Sequence, residues 1–264
     1  MAGQHPDLDP APAVDAYDYL KIVLNPDGTI TRGIDDPTTP AVPNPDQPFA
    51  VRTKDVLLNP THNTWARIYM PRPSPPPDQK LPLIVYYHGG GFVFSSPSSV
   101  INHNFCSLMV AKLGAIIVSA SYRSALEHCL PPLVIRGLIL HRPFSGGFRR
   151  TKSEVRLFNN PSTLVNGADL LWELALTGTT SVATQRLGRD QRSRRGLKSW
   201  GGKVVVAGGG GDSIIDQQRE LAAELEAKGM EGVGLFGGEG DYHGVEMLEP
   251  VKVELLFEKL KGII

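Results

Sequence analysis

The sequence predicts an α/β fold with a mainly parallel β-sheet and flanking helices. Short apolar runs that do not alternate with polar residues are typical of strands buried on both faces of a parallel sheet. Between these runs lie stretches with the periodicity of amphipathic helices. The chain has 264 residues, 41% of them hydrophobic, which is enough for one large core. We therefore expect a single domain over residues 1–264, with a proline-rich N-terminal extension over residues 1–50.

The strands are predicted from short runs along the chain. The first run, Thr64–Tyr69, alternates more strictly between apolar and polar residues and predicts an antiparallel edge strand. The later runs predict strands buried on both faces, and they are Leu83–Tyr87, Ala115–Ser119, Gly137–Leu140, Lys203–Ala207 and Val233–Phe236.

Helices are predicted between and after these strands. In the first, Phe105–Lys112, apolar residues recur at helical spacing before Gly114, a residue type favoured just after a helix ends. The second, Ile214–Lys228, has an apolar face that ends before a glycine. The third, Val253–Leu260, has apolar residues at i, i+3, i+4 and i+7 and predicts an amphipathic C-terminal helix.

Composition disfavours several classes of partner. Basic and acidic residues number 27 each, so no net charge attracts nucleic acid or an anionic membrane. The longest apolar runs, such as Leu81–Tyr87, are far shorter than a membrane span. Two cysteines, Cys106 and Cys129, together with a start that has no secretory leader, predict a cytoplasmic protein. We expect neither nucleic acid nor a membrane as a partner.

The motif with the clearest chemical meaning is His88-Gly89-Gly90-Gly91-Phe92, directly after a predicted strand. Glycines at this place let backbone N–H groups come close to a substrate oxygen. Two such donors stabilise the oxyanion that forms when an ester carbonyl is attacked. The motif therefore favours an oxyanion hole over the alternative, a simple turn from strand to loop.

Several segments together resemble one known family. LIVYYHGGGF, VSASYR, RGLILHRPFSGG, the run from Lys203 to Gly229 and YHGVE occur in this order. They are similar to the plant carboxylesterases of the α/β-hydrolase fold, in the hormone-sensitive-lipase-like branch that also contains the gibberellin receptor. The resemblance implies a Ser-His-Asp triad that hydrolyses a small-molecule ester without a cofactor. It also implies that the N-terminal extension helps to cover the site.

The resemblance assigns roles to individual residues. Gly89 and Gly90 match the oxyanion-hole glycines, and Gly91 completes the motif. Asp212 follows a predicted strand at the position of the family's acid, where a carboxylate orients the imidazole. His243 matches the catalytic histidine on the loop before the last helix. The alternatives are a helix cap for Asp212 and an ordinary surface position for His243.

The nucleophile of the family has no counterpart. Its Gly-Asp-Ser-Ala-Gly elbow belongs between Tyr122-Arg123 and the strand at Gly137–Leu140, where this sequence has no such motif. The join Ala120–Leu133 has 14 residues, two prolines and no helical periodicity, which is short for a crossover between parallel strands. We therefore expect that one central strand–helix unit is deleted, together with the catalytic serine.

Two other serines are poor substitutes for the nucleophile. Ser213 follows Gly211-Asp212, but Ile215 stands where an elbow needs a small residue. Ser145 has Pro143 in place of the first elbow glycine and follows the wrong strand. We therefore assign no nucleophile and expect a carboxylesterase-like protein that is weak or inactive. A non-catalytic, receptor-like protein that binds a small hydrophobic ligand and a truncated splice or gene-model product are the alternatives.

The remaining motifs indicate no cofactor. Gly208–Gly211 lies between a strand and a helix, but Ser213 stands where the dinucleotide-binding pattern needs its last glycine. The histidines have no metal-ligand spacing, so we expect no metal. The basic stretch within Thr177–Trp200 is interpreted as a solvated loop, with an anion patch, a localisation signal or a mis-spliced segment as alternatives.

Overall fold

The computed structural model describes residues 14–27, 29–42, 50–76, 78–122, 137–144, 150–161, 165–176 and 203–262. Its strands are β1 Ile22–Leu24, β2 Ile30–Arg32, β3 Val51–Asn59, β4 Thr64–Pro71, β5 Leu83–Tyr87, β6 Ile116–Ala120, β7 Gly137–His141, β8 Lys203–Gly208 and β9 Gly232–Phe236. Its helices are α1 Ala16–Leu20, α2 Val100–Leu113, α3 Lys152–Arg156, α4 Val165–Leu176, α5 Ile215–Ala227, α6 Val245–Leu248 and α7 Pro250–Lys261.

Two β-sheets follow the N-terminal β1–β2 hairpin. The first has the order β3-β4-β6-β5, with antiparallel pairs except for the parallel pair β5–β6. The second has the order β7-β8-β9, and both of its pairs are parallel. The five runs predicted as buried strands all form strands, with bounds that differ by at most one residue at each end. The prediction of an α/β fold is confirmed.

The strand at Thr64–Pro71 corrects one expectation. It is antiparallel, as its alternating pattern predicts, but it is not an edge strand, because β3 pairs along its other side. The sequence of Val51–Asn59 hides this outer strand, since charged residues such as Lys54 and Asp55 interrupt its apolar pattern. Side chains alternate between the two faces of a strand, so Lys54 points away from the face that buries Val51 and Thr53. Asp55 lies on that same face, where its carboxylate binds the buried guanidinium of Arg67 at 2.7 Å.

The strand β5 corrects a second expectation. It was predicted to be buried on both faces, but Leu83, Val85 and Tyr87 are 65%, 51% and 45% exposed. Within the described residues, β5 pairs only with β6 and β7 pairs only with β8. A strand of parallel sheet is buried on both faces only where helices cover both. The exposed residues of β5 show that this strand is covered on one face only among the described residues, and the deletion of a strand–helix unit stays a prediction.

One apolar core nevertheless joins the two sheets. The ring of Phe105 on α2 lies 5.7 Å from that of Tyr86 on β5 and 5.8 Å from that of His141 on β7. The same ring lies 5.4 Å from that of Phe257 on α7. Apolar side chains of β6 and β8 belong to the same buried cluster. Helices α2 and α7 therefore hold the two sheets together through side-chain packing.

The predicted helices are confirmed. Helix α2 ends before Gly114, which has a φ of 61°, the left-handed conformation that favours glycine. Helix α5 covers most of the predicted second helix. Helix α7 buries the four apolar residues that predicted it: Val253, Leu256, Phe257 and Leu260. None of the described helices is long and apolar enough to cross a membrane.

The described part of the N-terminal extension packs against the loop after β5. Leu20, Ile22 and Ile30 form a buried cluster with Val93 and with α4. The guanidinium Nε of Arg32 donates a 2.7 Å hydrogen bond to the carbonyl of Val93. These contacts place the extension beside the glycine motif, and its capping role stays a prediction.

Several predicted features lie outside the described residues. These are most of the join Ala120–Leu133, Cys129, Ser145 and the basic stretch Thr177–Trp200. Cys106, in contrast, is described and is completely buried in the core.

We expect a broad thermal transition with low cooperativity. Two sheets that share a core but no hydrogen-bonded strand pair within the described residues can unfold at different temperatures. Differential scanning calorimetry measures this directly, because the van't Hoff enthalpy then falls below the calorimetric enthalpy. A sharp, reversible melt above about 60 °C with equal enthalpies would contradict the expectation.

Candidate active site

The glycine loop after β5 has a backbone that only glycine fits. Gly90 has a φ of 110°, and its carbonyl accepts hydrogen bonds from the amides of Val93 and Phe94 at 3.1 and 2.9 Å. A Cβ atom on Gly90 would lie 2.3 Å from the carbonyl oxygen of Phe94. The sequence motif is therefore explained by a tight turn that an L-residue with a side chain would break.

A buried histidine and a tyrosine fix the start of this loop. The ring of His88 stacks on that of Tyr122 with 4.3 Å between centroids, and the Tyr122 hydroxyl donates to the carbonyl of His88 at 2.8 Å. The Nδ1 atom of His88 lies 2.9 Å from the carbonyl oxygen of Gly89. Burial lowers the pKa of His88, which favours the neutral ring. The neutral ring acts as a hydrogen-bonding support for the loop.

The amides of Gly89, Gly90 and Gly91 are available for an external acceptor. Outside helices and strands, none of the three donates to a backbone carbonyl among the residues that the structure describes. The next residue, Phe92, has a φ of 66°, although it is not glycine. Left-handed backbone at a bulky residue is strained and is found most often at functional sites. The assignment of this loop as an oxyanion hole stays a prediction.

Asp212 lies after β8 and is fully buried. Its Oδ1 atom accepts a 3.2 Å hydrogen bond from the amide of Ile214, and its Oδ2 atom lies 2.8 Å from Nδ1 of His243. Burial alone would raise the pKa of Asp212, but the hydrogen bond and charge of His243 and the nearby Arg142 hold it below the ordinary value. The carboxylate therefore stays ionised, and it supports both the helix start and the histidine.

His243 lies on the loop between β9 and α6, and its side chain is 33% exposed. An ionised Asp212 accepts hydrogen bonds only, so the Nδ1 atom of His243 is the protonated one. The Nε2 atom is then the ring nitrogen that can take a proton from another molecule. The expected proximity of Asp212 and His243 is present, with the geometry of an acid–base pair.

Two residues close to this pair are not apparent from the sequence. Arg142 follows β7, and its guanidinium binds both carboxylate oxygens of Glu246 at 2.7 Å. The Nη1 atom of Arg142 lies 3.4 Å from Oδ2 of Asp212. Arg142 is 4% exposed and has a φ of 48°. The only signal in the sequence is an arginine directly after a strand that is otherwise apolar.

The glycine run at Gly208–Gly211 is explained by close packing. A Cβ atom on Gly209 would lie 2.1 Å from the carbonyl oxygen of Asp241, and one on Gly208 would lie 1.9 Å from Oε1 of Gln218. The loop that carries His243 therefore crosses directly over these glycines. This packing accounts for the run and disfavours its interpretation as a nucleotide loop.

The structure provides no support for Ser213 as a nucleophile. Ser213 is completely buried, and its carbonyl accepts a hydrogen bond from the Ser153 hydroxyl at 2.8 Å. A substrate cannot reach a serine in this position.

No group of three or more metal-binding side chains is found among the described residues.

Aromatic side chains surround the glycine loop. The ring of Phe92 lies 6.2 Å from that of Tyr122 and 5.9 Å from that of Phe144, which in turn lies 5.8 Å from the ring of Trp172 on α4. All four side chains are partly exposed. The surroundings of the candidate site are therefore apolar and aromatic.

Comparison with known proteins identifies relatives for the whole chain. A family model for the alpha/beta hydrolase fold matches residues 84–134. Carboxylesterase 20 of Arabidopsis thaliana is 34% identical over 324 aligned residues, which cover 97% of this chain and 98% of the relative. A 3-O-acetylpapaveroxine carboxylesterase of Papaver somniferum is 31% identical over 320 aligned residues, which cover 95% of this chain and 97% of the relative.

Solved structures agree on the fold. Esterase LipW from Mycobacterium marinum superposes with a TM-score of 0.64 and 20% identity, covering 81% of each chain. An esterase from Pyrobaculum calidifontis has a TM-score of 0.63 and 17% identity, covering 83% of this chain and 87% of its own. At these identities the likeness concerns the fold alone.

The alignment with the Arabidopsis relative also contains a length difference. It has 324 positions, whereas this chain has 264 residues, so at least 60 positions have no counterpart here. The deletion of a strand–helix unit stays a prediction. At 34% identity over almost the full length of both chains, this protein belongs to the plant carboxylesterase family of the α/β-hydrolase fold.

Proposed function

We propose that this protein hydrolyses carboxylic esters slowly, with water activated by His243 in place of a serine nucleophile. The observation that carries the proposal is the 2.8 Å contact between Nδ1 of His243 and the fully buried Asp212. A histidine oriented by an ionised carboxylate is a general base. The curated relatives are named as carboxylesterases, which supports a small-molecule ester as the substrate.

Each step of the reaction uses residues of the candidate site. The Nε2 atom of His243 takes a proton from water while the water oxygen bonds to the ester carbonyl carbon. The carbonyl oxygen becomes negative and accepts hydrogen bonds from the amides of Gly89 and Gly90, with Gly91 completing the loop. The bond to the alcohol oxygen then breaks, and the alcohol leaves with the proton from His243. Asp212 holds the ring and stabilises its charged form.

The absent serine limits the rate. In a serine esterase the activated hydroxyl is already fixed beside the carbonyl carbon, whereas water must be positioned anew in each turnover. An oxyanion hole and substrate binding without a complete triad still give about 10³- to 10⁴-fold catalysis over water. We therefore propose a protein with residual activity, far below that of an intact carboxylesterase.

A non-catalytic ligand-binding function is the second candidate. The partly exposed rings of Phe92, Tyr122, Phe144 and Trp172 beside the glycine loop favour it. Such rings bind flat, apolar molecules through their faces and edges. The two functions differ in one respect, because only hydrolysis requires the basic Nε2 atom of His243.

Replacement of the proposed base tests the function. We expect His243→Ala to lower the residual hydrolysis of p-nitrophenyl acetate about 100-fold, the size of a general-base contribution. His62, an exposed histidine in the turn between β3 and β4, provides the matched control, and His62→Ala should retain the wild-type rate. Equal rates for His243→Ala and the wild type would reject the proposal and favour the ligand-binding alternative.

A further inference from the structure

Arg142 joins four parts of the structure around the acid–base pair. It follows β7, binds Glu246 of α6 through two 2.7 Å hydrogen bonds, and lies 3.4 Å from both Asp212 and the carbonyl of Asp241. A bidentate contact of this kind fixes direction as well as distance. Glu246 comes three residues after His243, so Arg142 holds the histidine loop from both sides.

Arg142 is buried between two carboxylates. The side chains of Arg142 and Glu246 are only 2% and 11% exposed, and that of Asp212 is completely buried. Burial alone would raise the pKa of Glu246, but hydrogen bonds from His141 and Arg142 hold it well below its ordinary value. Buried charges are tolerated only when they are paired and hydrogen-bonded. One arginine thus serves two buried carboxylates.

The backbone at Arg142 is consistent with a special role. Its φ of 48° is uncommon for a residue other than glycine, and the surrounding contacts must hold it there. Its amide donates a 2.8 Å hydrogen bond to the carbonyl of Ala207 on β8. The fixed backbone at Arg142 therefore helps to hold the guanidinium beside Asp212 and Glu246.

We propose that Arg142 is a positioning residue that keeps Asp212 ionised and holds the histidine loop in place. Its charge stabilises the Asp212 carboxylate, and its bidentate contact with Glu246 fixes the segment that carries His243. The effect on hydrolysis rests on the proposed function, whereas the effect on the acid–base pair does not.

The groups that face Asp212 determine its titration. They are His243 from the loop before α6, Arg142 from the end of β7, and Gln218 of α5, whose amide nitrogen lies 3.3 Å from Oδ2. The amide of Ile214 completes the set. Among these groups Arg142 and, when protonated, His243 carry positive charge, so removal of the Arg142 charge must weaken the ionised form of Asp212.

The test compares Arg142→Met with Arg142→Lys by NMR of protein labelled at the aspartate carboxyl carbons. Asp212→Asn assigns the Asp212 signal. We expect the pKa of Asp212 to rise in Arg142→Met and to stay lower in Arg142→Lys, which keeps the charge. As the pH is lowered, protonation of Asp212 weakens its hydrogen bond with Nδ1–H of His243. The Nδ1 proton signal should therefore be lost at a higher pH in Arg142→Met than in the wild type. A merely structural role predicts the same titration for both variants.

A double variant guards against loss of folding. Arg142→Met leaves Glu246 buried without its bidentate partner, which is destabilising. Arg142→Met/Glu246→Gln removes both charges, and we expect this double variant to be more stable than Arg142→Met alone. The pKa of Asp212 should remain above that of the wild type in the double variant. Glu246→Gln alone should lower the pKa of Asp212, because it removes a nearby negative charge while Arg142 keeps its positive charge.

The results separate this inference from the proposed function. An unchanged Asp212 titration in both Arg142→Met and the double variant would overturn the positioning role, whatever the esterase activity. A raised Asp212 pKa in a protein whose wild type does not hydrolyse esters would support the positioning role and reject the proposed function. Equal titrations for Arg142→Met and Arg142→Lys would also overturn it, because charge would then have no effect.

Discussion

The purified protein is expected to hydrolyse short p-nitrophenyl esters at least about 1000-fold more slowly than carboxylesterase 20 of Arabidopsis thaliana. The deficit follows from the absent nucleophile, because in the proposed mechanism the glycine loop and the Asp212–His243 pair would provide only part of the catalysis. Side-by-side measurement of kcat/KM at the same pH gives the ratio. Turnover within about tenfold of the relative would contradict the claim that this protein has no nucleophilic serine. It would also contradict the proposed mechanism.

Fluorophosphonate labelling provides the control for this prediction. The reagent reacts covalently only with a serine that has a base and an oxyanion hole beside it. We expect no stoichiometric adduct on this protein and full labelling of the Arabidopsis relative. An adduct on Ser213 would show that the GDS run acts as an elbow, and the acid role of Asp212 would then be wrong. An adduct on Ser121 or Ser124 would show that the short join presents a nucleophile.

The elements of the fold could be predicted because their signals are local. Apolar runs such as Lys203–Ala207 are strands in the structure, and the face from Val253 to Leu260 is a buried helix face. Burial of individual faces could not be predicted so well. Val85 lies in a run that looks fully buried, yet its exposure depends on what packs beside β5, which the run itself does not contain. Neighbouring elements determine that property.

The candidate site was predictable only in part. Resemblance to a family pointed to Asp212 and His243, and the two side chains are in contact. The two residues are 31 positions apart in the sequence, and no periodic pattern between them predicts that they are in contact. The sequence does not reveal the role of Arg142, because its contacts with Asp212, Asp241 and Glu246 form only in the folded chain. An arginine after a strand otherwise suggests a surface position.

Insertion of the strand–helix unit that we expect to be deleted should produce the largest gain of function. Residues 123–136 join the described residues Tyr122 and Gly137, and within the described residues no strand pairs with both β5 and β7. The family resemblance places a Gly-Asp-Ser-Ala-Gly elbow between Tyr122-Arg123 and β7, so a graft of the corresponding segment of the Arabidopsis relative is expected to supply a nucleophile and a strand between β5 and β7. We expect ester hydrolysis to rise at least about 1000-fold and fluorophosphonate labelling to appear on the new serine.

A matched variant shows whether the inserted serine uses the existing site. In the graft, Asp212→Asn should remove most of the gain, because the amide cannot hold His243 in the tautomer that accepts the serine proton; comparable substitutions lower kcat about 10⁴-fold. The same graft with its new serine changed to alanine should fold with the sharper thermal transition of a continuous sheet but remain as slow as the present chain. If the serine graft folds cooperatively and stays inactive, then Asp212, His243 and the glycine loop are not a retained esterase site, because a complete sheet and a nucleophile would have been supplied without effect.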